Sequence, residues 1–208
     1  DSHTHFIFGG YREEEFSWRL RGDSYMSIME RGGGIVNTMK ATRESDFDTL
    51  WDRGEERLDE LFSMGVTTVE GKSGYGLDLQ TELVQLRVMS DLNESHPMDV
   101  VSTFLGAHAV PPEFAGRTDD YVDFIIREVM PAVVHNGLAE FCDVFCEQGV
   151  FSIEQSRRLL TAAREMGLAL KLHADEIVPL GGAGLAAELS AVSADHLLHA
   201  SDADIRAM

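Results

Sequence analysis

Two histidines spaced one residue apart, His3 and His5 in Asp1-Ser2-His3-Thr4-His5, are the first groups in this sequence that could do chemistry together. Residues i and i+2 of an extended strand point to the same side, so both imidazoles can converge on one ion. Alone the pair says little, because two neighbouring histidines also occur as ordinary core or surface residues. His108, His173 and His196 add to it, since each falls where an expected strand runs out. Imidazole ligands without thiolates suit zinc or iron better than magnesium or calcium. Glu176, three residues beyond His173, is near enough to serve as general base or acid for an activated water. The plainer reading of Asp175 and Glu176 is an acidic helix start favoured by the dipole. His96, His135 and His199 lie in helix ends or late loops and read as structural or solvated. Cys142 and Cys146 share one face of an apolar strand and read as core thiols rather than ligands.

For these histidines to meet, several strand ends have to be gathered on one rim. A loose alternation of short β-branched runs, polar or glycine-containing loops and amphipathic stretches runs through the chain and predicts α/β architecture with a parallel sheet. Strands are expected at residues 66–69, 100–105, 141–145, 168–172 and in a run ending at His196, with the end of another over residues 1–8. Helices are expected over 46–64, through Leu79, Leu83, Leu86, Met89 and Leu92, over 121–134, 152–166 and 184–189, after Ser201, and as a short one over 24–30. Leu50, Leu58, Leu61 and Phe62 should pack the first of these. Six strand-then-helix units are visible, and eight would close a barrel of roughly 250 residues whose strand C-termini form the active rim. A doubly wound sheet would carry a glycine-rich phosphate loop after its first strand, where this chain has histidines.

Composition narrows the partners. Of 208 residues, 44% are hydrophobic and 25% charged, which suits a folded soluble domain rather than a disordered or fibrous chain. A net charge of −19 repels phosphate backbones and anionic headgroups, so nucleic acid and membrane surfaces are not expected as partners. No apolar run approaches the roughly 20 residues of a membrane helix, and the reading is a cytoplasmic protein with reduced cysteines.

Five stretches carry a resemblance. Asp1-Ser2-His3-Thr4-His5, Gly71-Lys72-Ser73-Gly74-Tyr75-Gly76, the run Thr103 to Ala109, Phe141-Cys142-Asp143-Val144-Phe145-Cys146 and Leu172-His173-Ala174-Asp175-Glu176 are together similar to the imidazolonepropionases of histidine degradation. Ser193-Ala194-Asp195-His196 belongs to the same pattern. That family sits among the metal-dependent amidohydrolases, so the resemblance implies a (β/α)8 TIM-like barrel, here incomplete, over residues 1–208. It implies one zinc or iron ion held by His3, His5 and His173, with 4-imidazolone-5-propanoate hydrolysed to N-formimino-L-glutamate. Arg12, Tyr75, His108 and Glu176 match substrate-holding positions, Tyr25 lies near them, and His196 matches a histidine behind the ligands.

The chemistry of these residues suits those roles. Arg12 can grip the substrate's propionate bidentately, or else pair with Glu13, Glu14 or Glu15 at the surface. Tyr75, between two glycines, can be presented to a ligand, or else cover the core. His108 could donate to the ring carbonyl and stabilise the developing oxyanion, or else cap the loop before Pro111-Pro112. Glu176, with His196 behind it, would move the proton to the leaving nitrogen. Lys72 and Lys171 are the lysines nearest strand ends, but no second ion is expected. An aminohydrolase acting on a cytosine-like or guanine-like base is the competing reading in the same fold, and an inactive fragment the competing reading outside catalysis. A homodimer is allowed. The family's aspartate ligand after strand eight has no counterpart among these residues, so the chain is expected to be part of a longer polypeptide and inactive alone.

Overall fold

Five strands form one all-parallel sheet in the computed structural model, which describes residues 1–23, 27–28 and 33–208. They are β1 (Thr68–Lys72), β2 (Asp99–Ala107), β3 (Phe141–Cys146), β4 (Ala169–Ala174) and β5 (Ser193–His196), and their order in the sheet is their order in the chain. Residues 1–5 run beside β1. Thr4 bridges Gly71 in parallel, and the amides of Glu70 and Lys72 donate to the carbonyls of Asp1 and Thr4. The expected first strand is therefore a single bridge, and the six expected units appear as five strands plus this segment. A sheet that adds each new strand to the same edge grows as a barrel wall does, without the reversal of order that marks a doubly wound sheet.

Helices alternate with the strands: α1 (Glu13–Leu20), α2 (Ile35–Arg43) and α3 (Phe47–Ser63) precede β1, and α4 (Leu79–Ser95) joins β1 to β2. Then come α5 (Thr118–Phe124) and α6 (Met130–His135), α7 (Ile153–Glu165), α8 (Gly182–Glu188) and α9 (Asp202–Ala207). Side-chain caps start the long ones. Asp46 and Asp78 accept from the amides of Thr49 and Thr81, and Ser152 with Gln155 forms a reciprocal capping box. The helix expected over 121–134 is interrupted by a π turn at Ile125–Val129. Pro131 explains it, having no amide hydrogen to reach the carbonyl of Arg127 one turn back. Tyr25 and most of the short helix expected over 24–30 lie outside the described residues.

Both faces of the sheet are covered, as a parallel sheet requires. Alternation sends Val69, Val100, Cys142, Val144, Leu170 and Leu172 to the face on which α4 and α7 pack. Both cysteines are buried free thiols, and burial pushes Cys146 up to about 11, as expected of core residues. The opposite face carries Glu70, Lys72, Thr103, Asp143, Lys171, His173 and Asp195. Among the described residues no helix is long and apolar enough to cross a membrane.

The α3–α4 contact shows how tightly the outer layer is built. A Cβ on Gly54 would lie 2.5 Å from Ile7 Cδ1 and 2.8 Å from Leu92 Cδ1. Leu50, Leu58, Leu86, Met89 and Leu92 are fully buried, while Leu61, Leu79 and Leu83 are half-buried. Phe62, expected in this core, is 43% exposed at the last turn of α3, where its ring stands edge-on to His96. Leu92→Ala should cost about 2–5 kcal/mol by opening a cavity under Gly54. A urea denaturation midpoint equal to wild type would contradict this packing.

Candidate metal and catalytic site

Five histidines from four segments meet over one end of the sheet. His3 and His5 come from the bridged N-terminal segment, His108 follows β2, His173 lies on β4 and His196 ends β5. The His3 ring centroid is 4.6 Å from His173, 5.1 Å from His196 and 5.4 Å from His5. His5 stacks on His108 at 4.8 Å and stands 5.9 Å from His173. Two sets of imidazoles have ligand nitrogens within 4.8 Å of one another: His3, His173 and His196, and His5, His108 and His173. Asp143, His173 and Asp195 form a third set, so His173 is common to all three. A register shift in β2 between Phe104 and Ala107 brings His108 in, and Tyr121 holds the bulged turn by donating to the Gly106 carbonyl at 2.7 Å.

Three of the rings have an outer hydrogen-bond partner that orients them. Nδ1 of His3 is 2.8 Å from Asp195 Oδ2, His5 Nδ1 is 3.3 Å from the Ser73 carbonyl, and His108 Nδ1 is 3.0 Å from the Gly74 carbonyl. A carbonyl only accepts, so His5 and His108 carry their proton on Nδ1 and keep the lone pair on Nε2. His173 Nδ1 lies 2.9 Å from Asp143 Oδ2, and its buried Nε2 has no hydrogen-bond partner. Such a group calls for a water or an ion, and the surrounding set of imidazole nitrogens and carboxylates is the donor chemistry of a transition-metal site. The residues therefore fit a cation.

Burial first, then His108 and His173, holds His5 well below its ordinary value. Burial, then His173, brings His108 down to about 3. Both rings are therefore neutral at neutral pH, as ligands or hydrogen-bond acceptors must be. Burial pushes Asp143 up, yet His173 and Lys72 outweigh it and keep that carboxyl well below the carboxylate range. Burial opposes Asp195 in the same way, and the hydrogen bond from His3 with the charge of Lys72 brings it down to about 2.

The substrate-holding candidates sit around this cluster to different degrees. Tyr75 is buried, with its ring 5.5 Å from His5 and 5.3 Å from His108. Burial raises its phenol, and the charge of Arg12 pulls the other way. Arg12 is half-buried before α1 and lies 3.9 Å from Glu15, so a loose ion pair is present, with the buried Glu15 rather than at the surface as expected. Glu176 Oε2 is 3.7 Å from His196 Nε2. Asp175 is occupied with structure, its carboxylate accepting from the amides of Gly181, Gly182 and Ala183 at the start of α8. An apolar pocket of about 130 Å³ beside His108 is lined by Ile35, Val36, Phe145 and Ile177 among others. A cavity of about 810 Å³ lies on the outer flank of α4 around Arg43, Arg87 and Phe124 and is lined by no histidine.

The chain is 85% identical over 206 residues, 99% of its length, to an imidazolonepropionase of Parabacteroides distasonis. It is 68% identical to one of Bacteroides fragilis and 63% identical to one of Clostridium tetani, each over the whole chain. The chain spans about half the length of the curated relatives it matches. No family model matches it.

Two groups that hold the site escape a reading by motif. Glu82, one turn into α4, is fully buried and accepts from the amides of Gly74, Gly76 and Leu77. Gln85, a turn further, accepts from the Tyr75 amide and donates to the Ile7 carbonyl, tying the Tyr75 loop to the His-x-His segment. Their signal was polar residues at positions 82 and 85 beside the apolar stripe of α4, which an ordinary solvated face would also produce. Gly74 itself has φ +98°, and a Cβ there would lie 2.7 Å from the Leu105 carbonyl oxygen. Glu82→Ala should leave buried amides without an acceptor and cost about 1–3 kcal/mol or more. Glu82→Gln keeps an oxygen for them and should recover much of the loss. Urea denaturation of both variants checks this, and equal midpoints would rule the clasp out.

Proposed function

We propose, because the chain belongs to the imidazolonepropionase family, that it forms the histidine-bearing side of a metal-dependent amidohydrolase barrel which opens the ring of 4-imidazolone-5-propanoate. The chain spans about half of its relatives' length, which leaves room for the remaining strands of such a barrel. The observation that carries the chemistry is His173, buried at the centre of the imidazole cluster with Nδ1 against Asp143 and Nε2 without a partner. One zinc or iron ion would be held by His3, His5 and His173. Such an ion supplies Lewis acidity and makes water acidic enough to attack near neutral pH.

The chain's own residues do the rest. Arg12, whose charge reaches Tyr75 and which lies 3.9 Å from Glu15, fixes the propionate by a charge-assisted contact. Tyr75 closes the space between His5 and His108 and presents its hydroxyl to the substrate. His108 takes a different part from the oxyanion donor expected of it. With its proton on Nδ1 toward Gly74 and its pKa depressed, its Nε2 accepts, which suits a ring N–H of the substrate rather than the carbonyl. Glu176 takes the proton from the attacking water and delivers it to the ring nitrogen as the C–N bond breaks. The hydroxyl stays on the carbonyl carbon. His196, at 3.7 Å, positions the Glu176 carboxylate before it takes the first proton and after it has given it up.

The test is ring opening by the protein at its full length, followed by loss of imidazolone absorbance and appearance of formimino-glutamate. Ammonia released without formimino-glutamate would favour the aminohydrolase reading. Arg12→Met should raise KM roughly 10- to 100-fold with a smaller effect on kcat, because a grip far from the breaking bond holds substrate and transition state alike. An unchanged KM removes Arg12 from the site. Glu176→Gln should instead lower kcat by about 10²–10⁴, and wild-type turnover in that variant would move proton transfer to another group.

A further inference from the structure

Lys72 has no part in the chemistry above, yet it is a fully buried charge at the middle of the site. Its ammonium has three protons and three carboxylate oxygens around it: Asp143 Oδ2 at 2.8 Å, Glu70 Oε1 at 2.9 Å and Asp195 Oδ2 at 3.1 Å. The two aspartate oxygens are the same atoms that face the histidines. Asp195 Oδ2 is 2.8 Å from His3 Nδ1, and Asp143 Oδ2 is 2.9 Å from His173 Nδ1. One path of charge thus runs from His3 through Asp195, Lys72 and Asp143 to His173, joining the N-terminal segment to β5, β1, β3 and β4.

We propose that Lys72 is a positioning residue that sets the directions of His3 and His173 together, so that cation affinity depends on a side chain touching neither the cation nor the imidazoles. The inference rests on the metal reading of the site. Lys171, the other buried lysine, does not duplicate the role. Its ammonium is 3.0 Å from Glu70 Oε1 and 4.9 Å from the centre of the Phe141 ring, and it pairs with neither aspartate. The two aspartates also depend on Lys72 unequally. Asp143 Oδ1 accepts from the Val144 amide at 2.7 Å, so its own strand anchors it, whereas Lys72 and His3 are the side-chain partners that hold Asp195. Removing the ammonium should therefore loosen His3 more than His173.

The experiment uses the full-length protein carrying this sequence, with Zn²⁺ affinity measured by competition against a chromophoric chelator and ligand geometry followed in the visible spectrum of the Co²⁺ form. Lys72→Met should weaken Zn²⁺ binding about 10- to 100-fold, the usual effect of losing an outer partner of a ligand, and should shift the cobalt bands. Asp195→Asn should weaken it about tenfold, and the double variant by less than the product of the two, because both changes cut one path. A lysine that only balances charge would leave the cobalt spectrum unchanged in any folded variant. Wild-type Zn²⁺ affinity within twofold and an unshifted spectrum in folded Lys72→Met would overturn the proposal. If Lys72→Met does not fold, Lys72→Met with Asp195→Asn, which removes an acid with the base, is judged by the same limits. If neither folds, Asp195→Asn alone decides, and wild-type affinity there overturns the path. A wild-type protein that binds neither ion would instead overturn the metal reading itself.

Discussion

An ammonium group shut away from water has to find acceptors within the protein, and the inner face of this sheet is organised around that requirement. Taking Lys72 and its acidic neighbours out of water carries a desolvation penalty that only close, complete pairing offsets. Thr103 contributes to that pairing by donating to Glu70 Oε1 at 2.6 Å, while Lys171 approaches the same oxygen. The result is a polar layer laid across β1 to β5 where many barrels carry branched aliphatic side chains. Above that layer stand the histidines. Apolar packing on the helix side supplies most of the burial, and the ionic layer decides which side chains on the other side have a fixed direction.

The helix after β1 serves both sides of that division. Leu86, Met89 and Leu92 of α4 go into the apolar core, while Glu82 and Gln85 on the adjoining stripe reach the loop after β1 and the carbonyl of Ile7. Arg43 of α2 adds a contact from outside, donating to the Gly76 carbonyl at 2.7 Å. The glycines of this loop adopt a path that side-chain-bearing residues resist, and the amides exposed by that path are satisfied by a carboxylate from the next helix. Tyr75 is thereby held by the same element that packs the sheet, so its position relative to His5 is a property of the fold.

Much of this was legible in the residues. Short β-branched and aliphatic runs located β1 to β5 within a few positions, and the histidines that end three of them reported where the active rim lies, because parallel strands expose their carboxyl ends together. The Phe-Cys-Asp-Val-Phe-Cys run of β3 also held an unread signal. An acid alternating with phenylalanines on a strand buried on both faces needs an internal partner, yet its identity is a lysine 71 positions earlier, a separation no local pattern encodes. Helices α1 and α2 were not legible. In α1 Phe16 and Leu20 are exposed and Glu15 is the buried residue, so no apolar stripe announces it. The π turn was hidden for another reason, since a widened turn before Pro131 keeps nearly the same apolar spacing as a continuous helix.

Strand register links the polar layer to the site. His173 lies opposite Phe145 of β3 and opposite Asp195 of β5. Because side chains alternate, a slip of one residue in β4 would send His173 to the helix side and bring Leu172 or Ala174 to the rim. Such a slip would also move Lys171 away from Glu70 and place an aliphatic side chain against Asp143, leaving buried charges unpaired. The same ions that orient the imidazoles therefore penalise the wrong pairing of the strands that carry them. In a sheet whose other face is largely apolar, and thus tolerant of sliding, this ionic layer makes the register specific, and the convergence of His3, His173 and His196 follows from that register.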